Sequence, residues 1–462
     1  MSITYEIIKS WNHTAGTVNS MDEIMRWIQE KNADVKVNVE KVDFSYHGFW
    51  YYDEQDGYIR NLNNSFFQLA GYQEIEDDRI IGEQPIIIQN EIGYLGILCK
   101  VIDGTLNFLM QAKIEPGNIN VVQLSPTIQA TKSNFMGKHG GNIPAYLDYF
   151  VNSEKYTVLA DQLQSEQASR FYKKRNRNMI LLVEDEIDVD DSHKWMTLGQ
   201  IKECMKKDNL VNMDTRSVLS CMSFPREDLD AEELAKAEKM FQDTALFFSI
   251  FKEPDYRIIH KMFNVMNGYK MYNKESSRLL PLKSLKGWVM TDQEIVCKTP
   301  YDFKVIYCRI EIESREVKYW EQPLIEALGM AVIGVFTCVS NGVRKYLVRA
   351  KTEMGCFDVV ELGPIVQLEP VNRRNSLNLI EKLFLEKLEH NERVLKDVVL
   401  SEEGGRFYHE QNRNVMIEIQ PDELKELPTG FYWVDFATLN QMIQFNNCVN
   451  IQLRNLMSLV DM

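Results

Sequence analysis

Residues 109–135 read LMQAKIEPGNINVVQLSPTIQATKSNF, and residues 347–373 read LVRAKTEMGCFDVVELGPIVQLEPVNR. Each spells a β-rich run, a turn around a glycine, a second β-rich run and a polar tail. Sliding the chain by 238 residues aligns 83–129 with 321–367 without a gap, and 17 of 47 positions are identical. Glu83, Gln84 and Pro85 match Glu321, Gln322 and Pro323; Gly96 matches Gly334. Lys113, Glu115, Gly117 and Gln129 match Lys351, Glu353, Gly355 and Gln367. A second block agrees at a shift of 236: RFYKKRNRNMILLVEDE from Arg170 and RFYHEQNRNVMIEIQPD from Arg406. Order and spacing hold over most of both halves, so the chain is a tandem duplication.

Each copy has one coarse reading. The lead-in is a helix around Met21–Glu30 in copy one and the short LLPLKSLKGW in copy two. Aromatic and β-branched strands follow. Asp103-Gly104 and Asn341-Gly342 then predict type I′ hairpins, whose two central residues both need positive φ. Beyond the quoted stretch, AYLDYFVNSEKYTVLADQLQSEQASRFY and NSLNLIEKLFLEKLEHNERVLKDVVLSEEGGRFY predict amphipathic helix approaches, and a strand and a final helix close each unit. The predicted architecture is α+β with mixed sheets flanked by helices. The expected division is 1–224, a helical connector over 225–275 rich in Ala, Glu and Lys, and 276–462.

The 462-residue length exceeds one ordinary core. Hydrophobic residues at 45% and charged ones at 26% are globular proportions. No run is apolar enough to span a bilayer, and the first residues do not spell a secretory leader. The eight cysteines form no CxxC pair, which argues against a zinc or disulfide framework and predicts a cytoplasmic protein. A net charge of −15 argues against a broad nucleic-acid surface, while leaving room for a local pocket for a small anion. The sequence has no GxGxxG opening a βαβ unit, no phosphate loop and no HExxH.

A duplicated fold needs its core twice but not its site twice. Shared positions therefore read as scaffold, and the differences show where chemistry was divided. Gln111 becomes Arg349, Asn118 becomes Cys356, Gln123 becomes Glu361, Ser125 becomes Gly363 and Thr127 becomes Ile365. The first copy keeps a polar hydrogen-bonding set. It is expected to hold most ligand contacts, with the second copy partly structural.

Four segments carry a family resemblance: FLMQAKIEPGNINVVQLSPTIQATKSNF, KHGGNIPAYLDYF, SRFYKKRNRNMILL and NLVNMDTRSVLSCM. They resemble the signature of NDP-hexose 2,3-dehydratases of deoxysugar biosynthesis, over nearly the whole chain. The resemblance implies two Nudix-like units, a homodimer, and a nucleoside-diphosphate 4-keto-6-deoxyhexose as substrate, with the thymidine form expected. It also implies loss of the C3 proton and the C2 hydroxyl with no cofactor, because the C4 ketone is itself the electron sink. The Nudix box is absent, so metal-dependent diphosphate cleavage is not expected. One departure stands out: NLNNSFF, from Asn61 to Phe67, replaces the family's His-x-Ser-Gly run. That change leaves a non-catalytic nucleotide-sugar-binding protein as the alternative reading.

Such a reaction needs a base, an acid for the leaving hydroxyl and donors for the enolate oxygen. His139 in GKHGGN suits proton transfer, since imidazole titrates near neutrality and the glycines admit close approach. Lys113 and Glu115 alternate with Gln111 on one strand, so the three share a face and offer an acid/base pair. The same pair recurs as Lys351 and Glu353, which suits a structural ion pair equally. Gln123, Ser125, Thr127 and Gln129 share a face suited to sugar hydroxyls, joined by Asn118 and continued by Ser133 and Asn134. For the diphosphate, RFYKKRNRN offers Lys173, Lys174 and Arg177, with Phe171 and Tyr172 able to stack on a base. In DNLVNMDTRSVLSC, Asp214 suits a helix cap and Arg216 could reach a phosphate.

Overall fold

The computed structural model describes residues 2–45, 47–131, 143–313, 317–371 and 377–462. The duplication is visible in its backbone. Asp103, Val121, Lys173 and Asn209 have positive φ, and so do their counterparts Asn341, Val359, His409 and Asn447. For a β-branched valine that conformation is strained, and both copies keep it in the same turn. Asp103-Gly104 and Asn341-Gly342 take positive φ at both positions, as their type I′ hairpins require.

Four sheets, two per copy, form the frame among the described residues. In copy one the sheet that carries the site runs Thr157–Ser165, Arg175–Leu182, Gly93–Ile102, Thr105–Ile114, His193–Met196. The pair of Arg175–Leu182 with Gly93–Ile102 is parallel and the other pairings in this order are antiparallel, so the sheet is mixed. Copy two repeats it as Val394–Ser401, Gln411–Glu418, Ala331–Ser340, Val343–Thr352, Phe431–Asp435. The fold is α+β, with helices laid against these sheets.

The other two sheets are completed by exchange. Strand Val37–Lys41 of copy one pairs with Phe303–Ile312 of copy two, in the register Val37 to Ile312. Reciprocally, Glu275–Leu280 pairs with Gln68–Glu76 of copy one, in the register Glu275 to Glu76. Ladder hydrogen bonds therefore cross between the copies twice. One apolar cluster also runs through both, joining Ile97, Phe108 and Ile180 to Val335, Tyr346 and Leu453.

Two expectations need correction. The helix expected over AYLDYFVNSEKYTVLADQLQSEQASRFY is confined to Leu147–Val151, and Thr157–Ser165 is a strand. In copy two, helix Leu379–Glu389 is followed by strand Val394–Ser401. The strands bury alternate positions, Ala160, Gln162 and Gln164 in copy one and Val398 and Leu400 in copy two, a period of two that the polar Gln162 and Gln164 hide in the sequence. The lead-in helix of copy one is Met21–Asp34, but its counterpart is Tyr256–Tyr272, upstream of LLPLKSLKGW. Helices Ala231–Glu238 and Thr244–Ile250 precede it.

Candidate functional site

Strands Thr105–Ile114 and Val122–Ser125 pair antiparallel, placing Gln111 opposite Ser125 and Lys113 opposite Gln123. This brings the polar residues of one face together. Lys113 Nζ lies 3.3 Å from Glu115 Oε1. The Gln129 amide donates to the same carboxylate at 3.3 Å, and Ser125 Oγ donates to Gln129 Oε1 at 3.1 Å. Gln111, Lys113 and Gln129 are half-buried and form the outer rim, while Glu115 and Ser125 lie deeper.

Helix Met213–Ser220 is fastened beneath this face. Its N-cap is Asn212, whose Oδ1 accepts from Thr215 N at 2.8 Å. The Asn212 amide donates to Ser125 Oγ at 3.3 Å and to Gln129 Oε1 at 3.2 Å. Asp214 was expected to cap this helix. It sits instead in the first turn, 2% exposed, with Oδ1 lacking a hydrogen-bond partner among the described residues. The cap falls to Asn212 because it holds the extended backbone just before the helix, fixed by the strand-to-helix link in which Asn212 N donates to Leu124 O at 2.9 Å, while Asp214 is already helical.

Copy two closes the site from the other side. Gly117 N donates to Gly404 O at 2.7 Å, and His409 N donates to Gly117 O at 3.0 Å. A β-carbon on Gly117 would stand 1.6 Å from Phe407 O, so only glycine admits this approach. The turn carries Glu403 and Arg406 inward. Arg406 donates to Glu403 Oε1 at 3.1 Å and to Gln89 Oε1 at 3.0 Å, and it stacks over Phe66 at 4.4 Å. Phe66 lies at the end of NLNNSFF. Asn61 in that segment is buried and latches the turn, donating to Ser65 O at 2.7 Å.

The result is a buried charged centre built by both copies. Burial, with the Glu403 carboxylate nearby, pushes the Glu166 carboxyl up to about 7. Burial, followed by Arg406, pulls the Lys174 ammonium down to about 8. Burial raises Glu403, and burial with Glu166, Glu403 and Glu115 holds Asp214 well above the usual carboxylate range. Perturbed groups gathered at one place make this centre the candidate site.

Other predicted site residues lie elsewhere or are held by the protein. Gln123 donates to Ser401 Oγ of copy two at 2.6 Å. Thr127 Oγ1 bridges two strands, accepting from Leu98 N at 2.9 Å and donating to Leu109 O at 2.5 Å. Asn118 donates to Val121 O at 2.9 Å and so fixes the turn. Arg177 forms a fork with Asp161 at 2.6 and 2.7 Å, and Arg413 repeats it on Asp397. Arg216 is fully buried, donating to Asn212 O at 3.2 Å and Ser401 O at 2.6 Å. Lys174 donates to Glu91 O. Lys173 is exposed over the Tyr172 ring, and its N–H donates to Gly355 O, so it borders the turn of copy two. Phe171 is core, packed on Phe407 at 5.8 Å. His139, Ser133 and Asn134 lie outside the described residues.

The model of the family described as NDP-hexose 2,3-dehydratase matches residues 21–222 and again 260–460. The chain belongs to the NDP-hexose 2,3-dehydratase family. Three relatives carry the name dTDP-4-dehydro-6-deoxy-alpha-D-glucopyranose 2,3-dehydratase. The one from Saccharopolyspora spinosa is 36% identical over 437 residues, 94% of this chain and 89% of the relative. That from Amycolatopsis orientalis is 34% identical over 460 residues, 97% and 92%. The third, from Streptomyces violaceoruber, is 36% identical over 440 residues, 94% and 95%. A 2,3-dehydratase is a lyase, and two matched repeats agree with the two copies seen in the backbone. The candidate site also contains Asn212, Glu166, Glu403 and Arg406, which the sequence reading did not single out. Only Glu403 carried a signal, by its exchange with Gln167; Asn212, Glu166 and Arg406 match Asn450, Glu402 and Arg170 and carried none.

Proposed function

We propose that the chain removes water across C2 and C3 of a nucleoside-diphosphate 4-keto-6-deoxyhexose, the thymidine form first. The observation that carries this reading is the match of both repeats to the dehydratase family, with relatives named for that sugar nucleotide. The site supplies matching chemistry. Glu115, held at 3.3 Å from Lys113, takes the C3 proton, and the Lys113 ammonium balances the charge that moves onto the C4 oxygen. Ser125, Gln129 and Asn212 hold sugar hydroxyls. The C2 hydroxyl leaves as water, and the resulting 3-hydroxy enone tautomerises to a 3,4-diketo-2,6-dideoxy sugar.

Each half is read as Nudix-like from the resemblance, supported by the mixed sheet with its packed helices. A cytoplasmic homodimer is the assembly that the resemblance and the free cysteines support. No helix of the described residues is long and apolar enough to cross a membrane.

The test is to incubate purified protein with thymidine-diphospho-4-keto-6-deoxyglucose and follow mass. Loss of one water supports the reading. Intact substrate that binds would make the protein a non-catalytic binder, and release of nucleoside monophosphate would make it a hydrolase.

A further inference from the structure

The duplication supplies an internal control. Where copy one has Asp214 in the first turn of helix Met213–Ser220, copy two has Gln452 in the first turn of Ile451–Ser458. Where copy two presents Glu403 to the site, the matching residue of copy one is Gln167. Ser125 faces Gly363 in the same comparison. Around one centre, two positions carry carboxylates; around its twin, the same two carry amides. The fold tolerates both, so packing does not require the acids.

We propose that Asp214 is the acid that hands a proton to the departing C2 hydroxyl, with Glu403 of the second copy set beside it as its positioning partner. The assignment rests on the dehydratase reading above. Asp214 is 2% exposed, and its Oδ1 has no hydrogen-bond partner among the described residues. Glu403 Oε2 is likewise buried without one. Gln452 also leaves its Oε1 unpartnered, so copy two keeps the shape of the position, but an amide cannot carry the acidic proton.

The surroundings favour the protonated form. Glu166, Glu403, Glu115 and Lys113 face Asp214, and Lys174 and Arg216 feel its charge. Burial and the three carboxylates all raise its affinity for a proton. Glu115, anchored by Lys113, is the separate group that accepts. Two carboxyl groups in one site, one beside the Lys113 ammonium and the other buried with an unpartnered oxygen, can divide the labour of an elimination.

The step balances. The C3–H bond breaks, its electrons form the C4 enolate, and the base takes the proton. The enolate electrons return to form the C2–C3 double bond, the C2–O bond breaks with its pair, and the Asp214 proton completes a water molecule. Asp214 is left as a carboxylate, to be recharged from solvent before the next turnover.

The experiment runs wild type, Asp214→Asn and Glu403→Gln in D2O, measuring both loss of water and deuterium uptake at C3. Asp214→Asn is expected to lose about 100-fold or more of its dehydration rate while still exchanging the C3 hydrogen of unreacted substrate. Exchange and dehydration falling together, or dehydration unchanged, would overturn the role. Glu403→Gln removes a negative charge beside the acid, so the high-pH limb of its dehydration profile should move to lower pH with the melting temperature preserved. An unmoved limb removes Glu403 from the proposal, and this variant stands if Asp214→Asn does not fold. A wild type that neither exchanges nor dehydrates would refute the dehydratase reading itself.

Discussion

Arg216 donates to the Ser401 carbonyl at 2.6 Å, and Arg454 repeats the contact on the Ser165 carbonyl at 2.7 Å. Each arginine sits on a helix of one copy and grips the strand end of the other, so the pair locks the copies about their common axis. A phosphate ligand would have to break these bonds first. Arg216→Met should therefore lower stability by roughly 2 kcal/mol, because it takes the guanidinium from the buried Ser401 carbonyl, while Asn212 O keeps the Arg216 N–H. Urea unfolding checks the size, and KM for the nucleotide sugar should change little in the folded fraction.

Gly117→Ala places a methyl where Phe407 O already lies, at 1.6 Å. Backbone cannot yield as a side-chain tip can, so the turn must separate from copy two. The expected cost is about 3 kcal/mol or more, with dehydration lost as Glu403 and Arg406 withdraw. Thermal melting and activity of the variant read both effects.

Lys113–Glu115 and Lys351–Glu353 are the same ion pair twice, at 3.3 and 2.8 Å. If chemistry is confined to copy one, the two should separate in kinetics. Glu115→Gln should lower kcat by about 10²- to 10⁴-fold and abolish C3 exchange as well. Glu353→Gln should leave kcat near wild type. Equal losses would place the reaction in both copies.

Glu361 stands where copy one has Gln123, accepting from Ser165 Oγ at 2.7 Å. Burial pushes its carboxyl up to about 7, against 4.5 for an exposed one. Below 4.5 both folded and unfolded forms hold the proton, and the group contributes nothing. Between 4.5 and 7 the unfolded chain releases it first, so stability falls as pH rises. Above 7 the full cost is present. Glu361→Gln should be neutral at pH 4 and stabilising by up to about 3 kcal/mol at pH 8, read as urea midpoints across that range.

The duplication was legible because identical turns need identical residues. Asp103-Gly104, Gly117 and the tail RFY recur for backbone reasons that spacing alone exposes. Strand alternation brought Lys113, Glu115, Ser125 and Gln129 together, but it also assigned Gln123 and Thr127 to that face, and these bond to Ser401 and to the backbone of Leu98 and Leu109 instead. What stayed hidden is which copy meets which. RFYKKRNRN reads as a neighbour of the first quoted stretch, yet Lys173 borders Gly355 and it is His409 that borders Gly117. Nothing in a repeated sequence distinguishes pairing within a copy from pairing with its twin, because both bury the same surfaces. Asp214 was misread for a local reason: an acidic residue beside a helix start looks like a cap until the position of Asn212 is known.

The exchange of Val37–Lys41 and Glu275–Leu280 also constrains how the molecule is made. Strand Gln68–Glu76 leaves the ribosome long before its neighbour is synthesised. At about 5–20 residues per second, its edge stays bare for roughly 10 to 40 s, until residue 280 has been made. An unpaired edge of that kind recruits strands from other nascent chains. Translation rate and chaperone supply should therefore govern the yield of folded protein, and a first half expressed alone should aggregate.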